Sequence, residues 1–124
     1  MEGYSVKITM CSKELTHKER VQIKDMSNAV SMDELTANGP VTLDVAFYAV
    51  LDVHNERSES VDYTVCILVD KAGTKYRTGS PSFMTSLEDI MADMDGCDEE
   101  WNLEVSRQPS KNYKGKEFLT CSVV

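Results

Sequence analysis

From Val41 to Val53 every odd position is apolar (Val, Leu, Val, Phe, Ala, Leu, Val), while Thr42, Asp44, Tyr48 and Asp52 fall on the other parity. Alternation of this kind is the pattern of a half-buried strand. At ~3.3 Å per residue the run would exceed about 40 Å, too long to stay flat, so a bend or a bulge is expected inside it. Tyr4, Val6, Ile8 and Met10 alternate with Ser5, Lys7 and Thr9 in the same way, and Val21 and Ile23 predict a short strand over Arg20–Lys24. Tyr63–Asp70 reads as a strand with a buried middle, Val65–Val69. Lys71-Ala72-Gly73 then turns the chain, with Gly73 free to take positive φ, and Thr74–Thr78 returns beside it. Trp101–Arg107 and Glu117–Val123 are the last two strands.

Two stretches break the strand period. Ser31 is followed three residues later by Glu34, the spacing of a capping box, which predicts a turn or two of helix ended by Gly39-Pro40. Ser80-Pro81 places an N-cap residue before a proline at the first helical position. Phe83, Met84, Leu87, Ile90, Met91 and Met94 then recur at the spacing of one apolar helix face, which runs out near Asp95-Gly96. This stripe, methionines included, reads as a helix plugging a sheet.

Strands, one principal helix and a closing hairpin form the order of an OB-fold, a five-stranded Greek-key barrel with its main helix between the third and fourth strands. The expected fold is therefore mainly β, an OB-like barrel in a single domain over residues 1–124, with one long bent strand shared between its two halves. One or two segments exceed the minimal plan, so the barrel is expected to be decorated. With 124 residues and 41% hydrophobic positions, the chain suits one core.

No apolar run approaches the ~20 residues of a membrane span, and the start lacks a secretory pattern, so a cytoplasmic location without membrane partners is expected. The cysteines at 11, 66, 97 and 121 form no C-x-x-C pair and lack a histidine at zinc-ligand spacing, which predicts reduced thiols. No G-x-S-x-G, H-E-x-x-H, Walker or dinucleotide fingerprint occurs, so neither catalysis nor a cofactor is expected. Asp93, Asp95, Asp98, Glu99 and Glu100 resemble a calcium loop only superficially, because Gly96 and the terminal Glu are misplaced. No metal is expected there.

Charge changes the picture. The net charge is −8, but it is unevenly spread, at −3 over residues 1–81, −7 over 82–100 and +2 over 101–124. The loop between the last two strands, Arg107-Gln-Pro-Ser-Lys111-Asn-Tyr113-Lys114-Gly-Lys116, carries four cations, an aromatic and no acid. Single-stranded nucleic acid needs cations along its phosphates and flat side chains on which bases stack. In an OB-fold this loop is one of the two that commonly hold oligonucleotides. Lys75, Tyr76 and Arg77 on the hairpin strand and Tyr48 on the less apolar face of the long strand are candidates to extend that surface. Phe118 suits either a core or a stacking platform.

The stretches Asp25–Ala29, Leu51–Glu56, Asp62–Thr64, Leu68–Ser80, Trp101–Val105 and Ser110–Ser122 together resemble the small single-stranded-DNA-binding proteins encoded by phages and prophages. The likeness is a global pattern covering most of the chain from about residue 20, without a diagnostic catalytic or metal motif. It implies an OB-like barrel that coats single-stranded DNA in phage replication or recombination, without sequence preference, in the host cytoplasm. Carried over residue by residue, it reaches Lys111, Tyr113, Lys114 and Lys116. The chain departs from cellular proteins of this function in having no long acidic tail with an apolar tip to recruit replication partners; the acidic 93–100 segment is the candidate substitute. Because a chain at −8 is repelled by DNA at long range, binding is expected to be salt-sensitive and helped by oligomerisation or cooperative coating. The competing expectation is an acidic phage protein that binds a host protein as an inhibitor or DNA mimic.

Overall fold

The computed structural model describes residues 3–57, 59, 61–94, 100–109 and 117–124. Strands dominate. They are β1 (Tyr4–Cys11), β2 (Val30–Ser31), β3 (Val41–Leu43), β4 (Val45–Asn55), β5 (Asp62–Asp70), β6 (Lys75–Thr78), β7 (Leu103–Pro109) and β8 (Glu117–Val123). Among the described residues three helices accompany them, α1 (His17–Lys24), α2 (Met32–Leu35) and α3 (Pro81–Asp93). One sheet has the order β1-β4-β5-β6-β2 and the other β3-β7-β8.

The long alternating run is divided between both sheets. β3 pairs with β7, whereas β4 pairs with β5 and β1. The joint is Asp44, and the register of β4 against β5 slips between Val45 and Phe47. That bulge has a consequence the alternation alone conceals. An extra residue reverses which parity faces which side. Leu43 and Val45 accordingly enter one core, and Phe47, Ala49, Leu51 and Val53 enter another.

The first core lies between the two sheets. Leu43, Val45, Tyr48, Cys66, Leu68 and Tyr76 from one side meet Leu103, Val105, Leu119 and Cys121 from the other, with Phe83 and Leu87 of α3 between them. Helix α3 begins as its sequence requires, Ser80 Oγ accepting from the Phe83 amide and Pro81 filling the first turn. It packs along β8, where Ser82 Oγ donates to the Leu119 carbonyl at 2.9 Å. The helix thus lies between the third and fourth barrel strands, β6 and β7. Among the described residues no ladder joins β6 to β8, so the barrel-like fold is open on that side.

The second core lies on the outer face of the larger sheet. Ala49, Leu51, Val53, Val65, Ile67 and Val69 are roofed by Ile23 of α1, with Val6, Ile8 and Cys11 of β1 at the edge. The strand expected over Arg20–Lys24 is therefore a helix. Thr16 and Glu19 form a full capping box, each side chain bonding the other residue's backbone amide, at 3.2 and 3.0 Å. A strand would have turned Val21 and Ile23 to one side, but the helix separates them, leaving Ile23 at 2% and Val21 at 71% exposure. Around α2 the outcome differs again. The helix forms after Ser31, yet Ser31 makes no side-chain cap bond.

Elsewhere the pattern holds. Gly73 takes φ +91 in the turn between β5 and β6, where the Asp70 carboxylate accepts from the amides of Ala72 and Thr74. β8 spans Glu117–Val123 as expected, and β7 begins two residues later than the Trp101 start expected. β1 carries a bulge between Ile8 and Met10, which leaves Met10 exposed and packs Cys11 inward. Burial pushes the thiols of Cys66 and Cys121 up to about 12. Among the described residues no helix is long and apolar enough to cross a membrane.

Candidate nucleic-acid interface

The β7–β8 hairpin is aligned up to Pro109 opposite Glu117, so residues 110–116 join the two strands. Lys111, Tyr113, Lys114 and Lys116, and with them most of the cationic loop, lie outside the described residues. What is described is the base on which the loop stands. Phe118, opposite Gln108 in the ladder, is 39% exposed, so the aromatic next to the loop is a surface ring and not a core residue. Arg107 has a structural partner. Its Nε donates to Thr36 Oγ1 at 3.1 Å, its Nη2 donates to the Asp33 carbonyl, and the Asp33 carboxylate lies 3.9 Å away. It fastens the hairpin to α2 while its side chain stays about one third exposed.

The same short helix receives β6. Ser31, the residue that opens α2, pairs with Arg77 in the parallel β2–β6 contact. The cationic hairpin and Arg77 are thus both joined to α2. Arg77 is exposed and lines a cleft of about 360 Å³ with Met26, Tyr63, Val65, Thr78 and Gly79. Tyr63 shares its strand face with Val65, Ile67 and Val69, and it is half-buried. A cation and an aromatic ring open to one cleft are the chemistry that a nucleotide requires. Sequence reasoning missed Tyr63; its parity with Val65 and Ile67 was the available signal, and it placed the ring on the outer face.

The other three candidates have different surroundings. Tyr48, at 3% exposure, sits in the inter-sheet core because the bulge before it reverses the faces of β4. Tyr76, at 9%, is in the same core and donates its hydroxyl to Asp70 at 3.0 Å. Burial raises both phenol pKa values, with the Asp70 bond adding to the effect at Tyr76. Neither ring offers a face to a base. Lys75 turns back to α1, its ammonium donating to the Gln22 and Asp25 carbonyls at 2.6 Å each, which satisfies orphan acceptors at the helix C-terminus. The larger cleft beside it, about 490 Å³ between α1 and the β5–β6 turn, has its cations occupied in this way, since Lys71 pairs with Asp44 at 3.3 Å.

Among the described residues no group of His, Cys, Asp and Glu side chains is arranged to hold a metal ion. Of the acidic segment, Asp93 and Glu100 are described and exposed, and residues 95–99 lie outside the described set. Comparison of the chain with protein-family models, with curated proteins and with solved structures gives no match.

Proposed function

We propose that this protein binds single-stranded DNA without sequence preference and without catalysing a reaction, in the manner of the phage-encoded proteins its sequence resembles. The observation that carries the reading is Phe118, an exposed ring at the base of a loop holding Lys111, Tyr113, Lys114 and Lys116. Arg77 and Tyr63 add a second cation and aromatic ring, both lining one cleft. Stacking contributes roughly 1–3 kcal/mol per base, so two or three platforms suffice for useful affinity despite the net charge of −8. Such a protein acts in replication or recombination, in the cytoplasm of the cell where the phage multiplies.

Fluorescence anisotropy with labelled oligo-dT tests this directly. Wild type should bind at low salt and weaken steeply as salt rises, and Lys111→Ala/Tyr113→Ala/Lys114→Ala or Phe118→Ala should weaken it further. Absence of binding at micromolar protein in low salt would refute the reading. A second reading has one observation in its favour. Glu88, Asp89 and Asp93 are exposed on α3, within a segment (82–100) that contains no basic residue, and such a face suits a basic host protein. On that reading the acidic 93–100 segment contacts the partner, and neutralising it abolishes capture of that host protein.

A further inference from the structure

Helix α1 presents a basic surface to solvent. Its exposed residues include no acid. His17, Lys18, Arg20 and Lys24 are all exposed, and among the described residues none is ion-paired. The acid of the helix, Glu19, is turned aside and held by Lys13 at 2.6 Å, which keeps its carboxyl below the ordinary range. The one buried residue, Ile23, fixes which side faces out. In a chain of net charge −8, three cations and an imidazole on two turns of helix form a patch of the opposite sign to the whole.

We infer that the outward face of α1 is a phosphate track, carrying single-stranded nucleic acid onward from the Tyr63–Arg77 cleft. The inference rests on the reading of the protein as a single-strand binder and extends its surface. Continuity supports it, because Met26, two residues beyond Lys24, is itself a wall of that cleft. A membrane surface fits poorly, since a helix lying on lipid needs a broad apolar face and this one turns only Val21 outward. The helix is also well fastened, by its capping box at one end and Lys75 at the other, so the charges stand on a defined scaffold.

The test uses the full chain and an oligo-dT too short to seat two proteins, with the slope of log K against log salt as readout. Each phosphate contact on a single strand contributes about 0.7 to that slope. Lys18→Gln/Arg20→Gln/Lys24→Gln keeps good helix formers and should flatten the slope by about 2 with the circular dichroism unchanged. Val21→Lys, at an exposed position, should steepen it by about 0.7. Wild-type slope in both variants, with binding still lost in the Lys111/Tyr113/Lys114 variant, would overturn this track and leave the single-strand reading standing. An unchanged slope accompanied by lost self-association would assign the helix to a second copy and overturn it equally. Failure of wild type to bind oligo-dT at all would remove both.

Discussion

The two longer helices make opposite use of similar positions. α3 drives Phe83 and Leu87 into the core between the sheets, with Met84, Ile90 and Met91 packed around them, and turns Glu88, Asp89 and Asp93 to solvent. α1 buries Ile23 alone, on the outer face of the larger sheet, and turns cations to solvent. One helix is a plug and the other a roof. The difference teaches that the net charge of −8 is a poor guide to partners, because the acid and the base are carried by separate helices on separate cores.

The comparison can be broken by mutation, and the largest effect should come from the plug. Phe83→Ala should lower stability by about 3–5 kcal/mol in urea unfolding, as expected for an emptied aromatic core site. Ile23→Ala should cost about 2 kcal/mol, the low end for its type, because Leu15, Met26 and Phe47, which pack against its cluster, are only partly buried. Equal losses would mean that the outer core is as tightly packed as the inner. A smaller effect should follow at the roof's first turn, where Thr16→Ala removes the cap for about 1 kcal/mol and speeds amide exchange in α1 ahead of α3.

The smallest effect concerns pH. At the end where β4 leads into β5, His54 Nδ1 is 2.8 Å from the Asp62 carboxylate, and that hydrogen bond raises the imidazole pKa above its usual 6.5, with Glu56 adding to it. A raised pKa means that the pair contributes fully below about pH 6.5 and is lost as pH climbs through the elevated value. An NMR titration should place the His54 midpoint above 6.5, and Asp62→Asn should bring it down. A His54 midpoint unmoved by Asp62→Asn would assign the shift to another cause.

How much of this was legible in the chain depended on whether local pattern or distant packing decided the outcome. Ser80-Pro81, the stripe of α3 and the Gly73 turn carry their own chemistry, and each appears where the sequence puts it. The run from Val41 to Val53 announced a long strand that must bend, but not that the bulge at Val45–Phe47 would send its two halves to different cores. That slip is why Tyr48, on the polar parity, is buried. At α1 the alternation of Val21 and Ile23 predicted a strand, but two residues cannot distinguish a strand from a helix, and the Thr16–Glu19 capping-box spacing was the signal that pointed to one. Lys75 read as a surface cation because nothing in the sequence says that a helix end lies within its reach. β2 has two residues and pairs with β6 through chain folding alone, so no periodicity could have revealed it or the α2 junction it builds.

The most direct measurement is amide and side-chain chemical-shift mapping while oligo-dT is added at low salt. Binding should shift Phe118, Tyr63, Arg77 and the outward residues of α1, together with the 110–116 loop, and leave Glu88, Asp89 and Asp93 unmoved. Shifts confined to α3, or none anywhere at saturating oligonucleotide, would contradict the single-strand reading and leave the acidic face as the working surface of the protein.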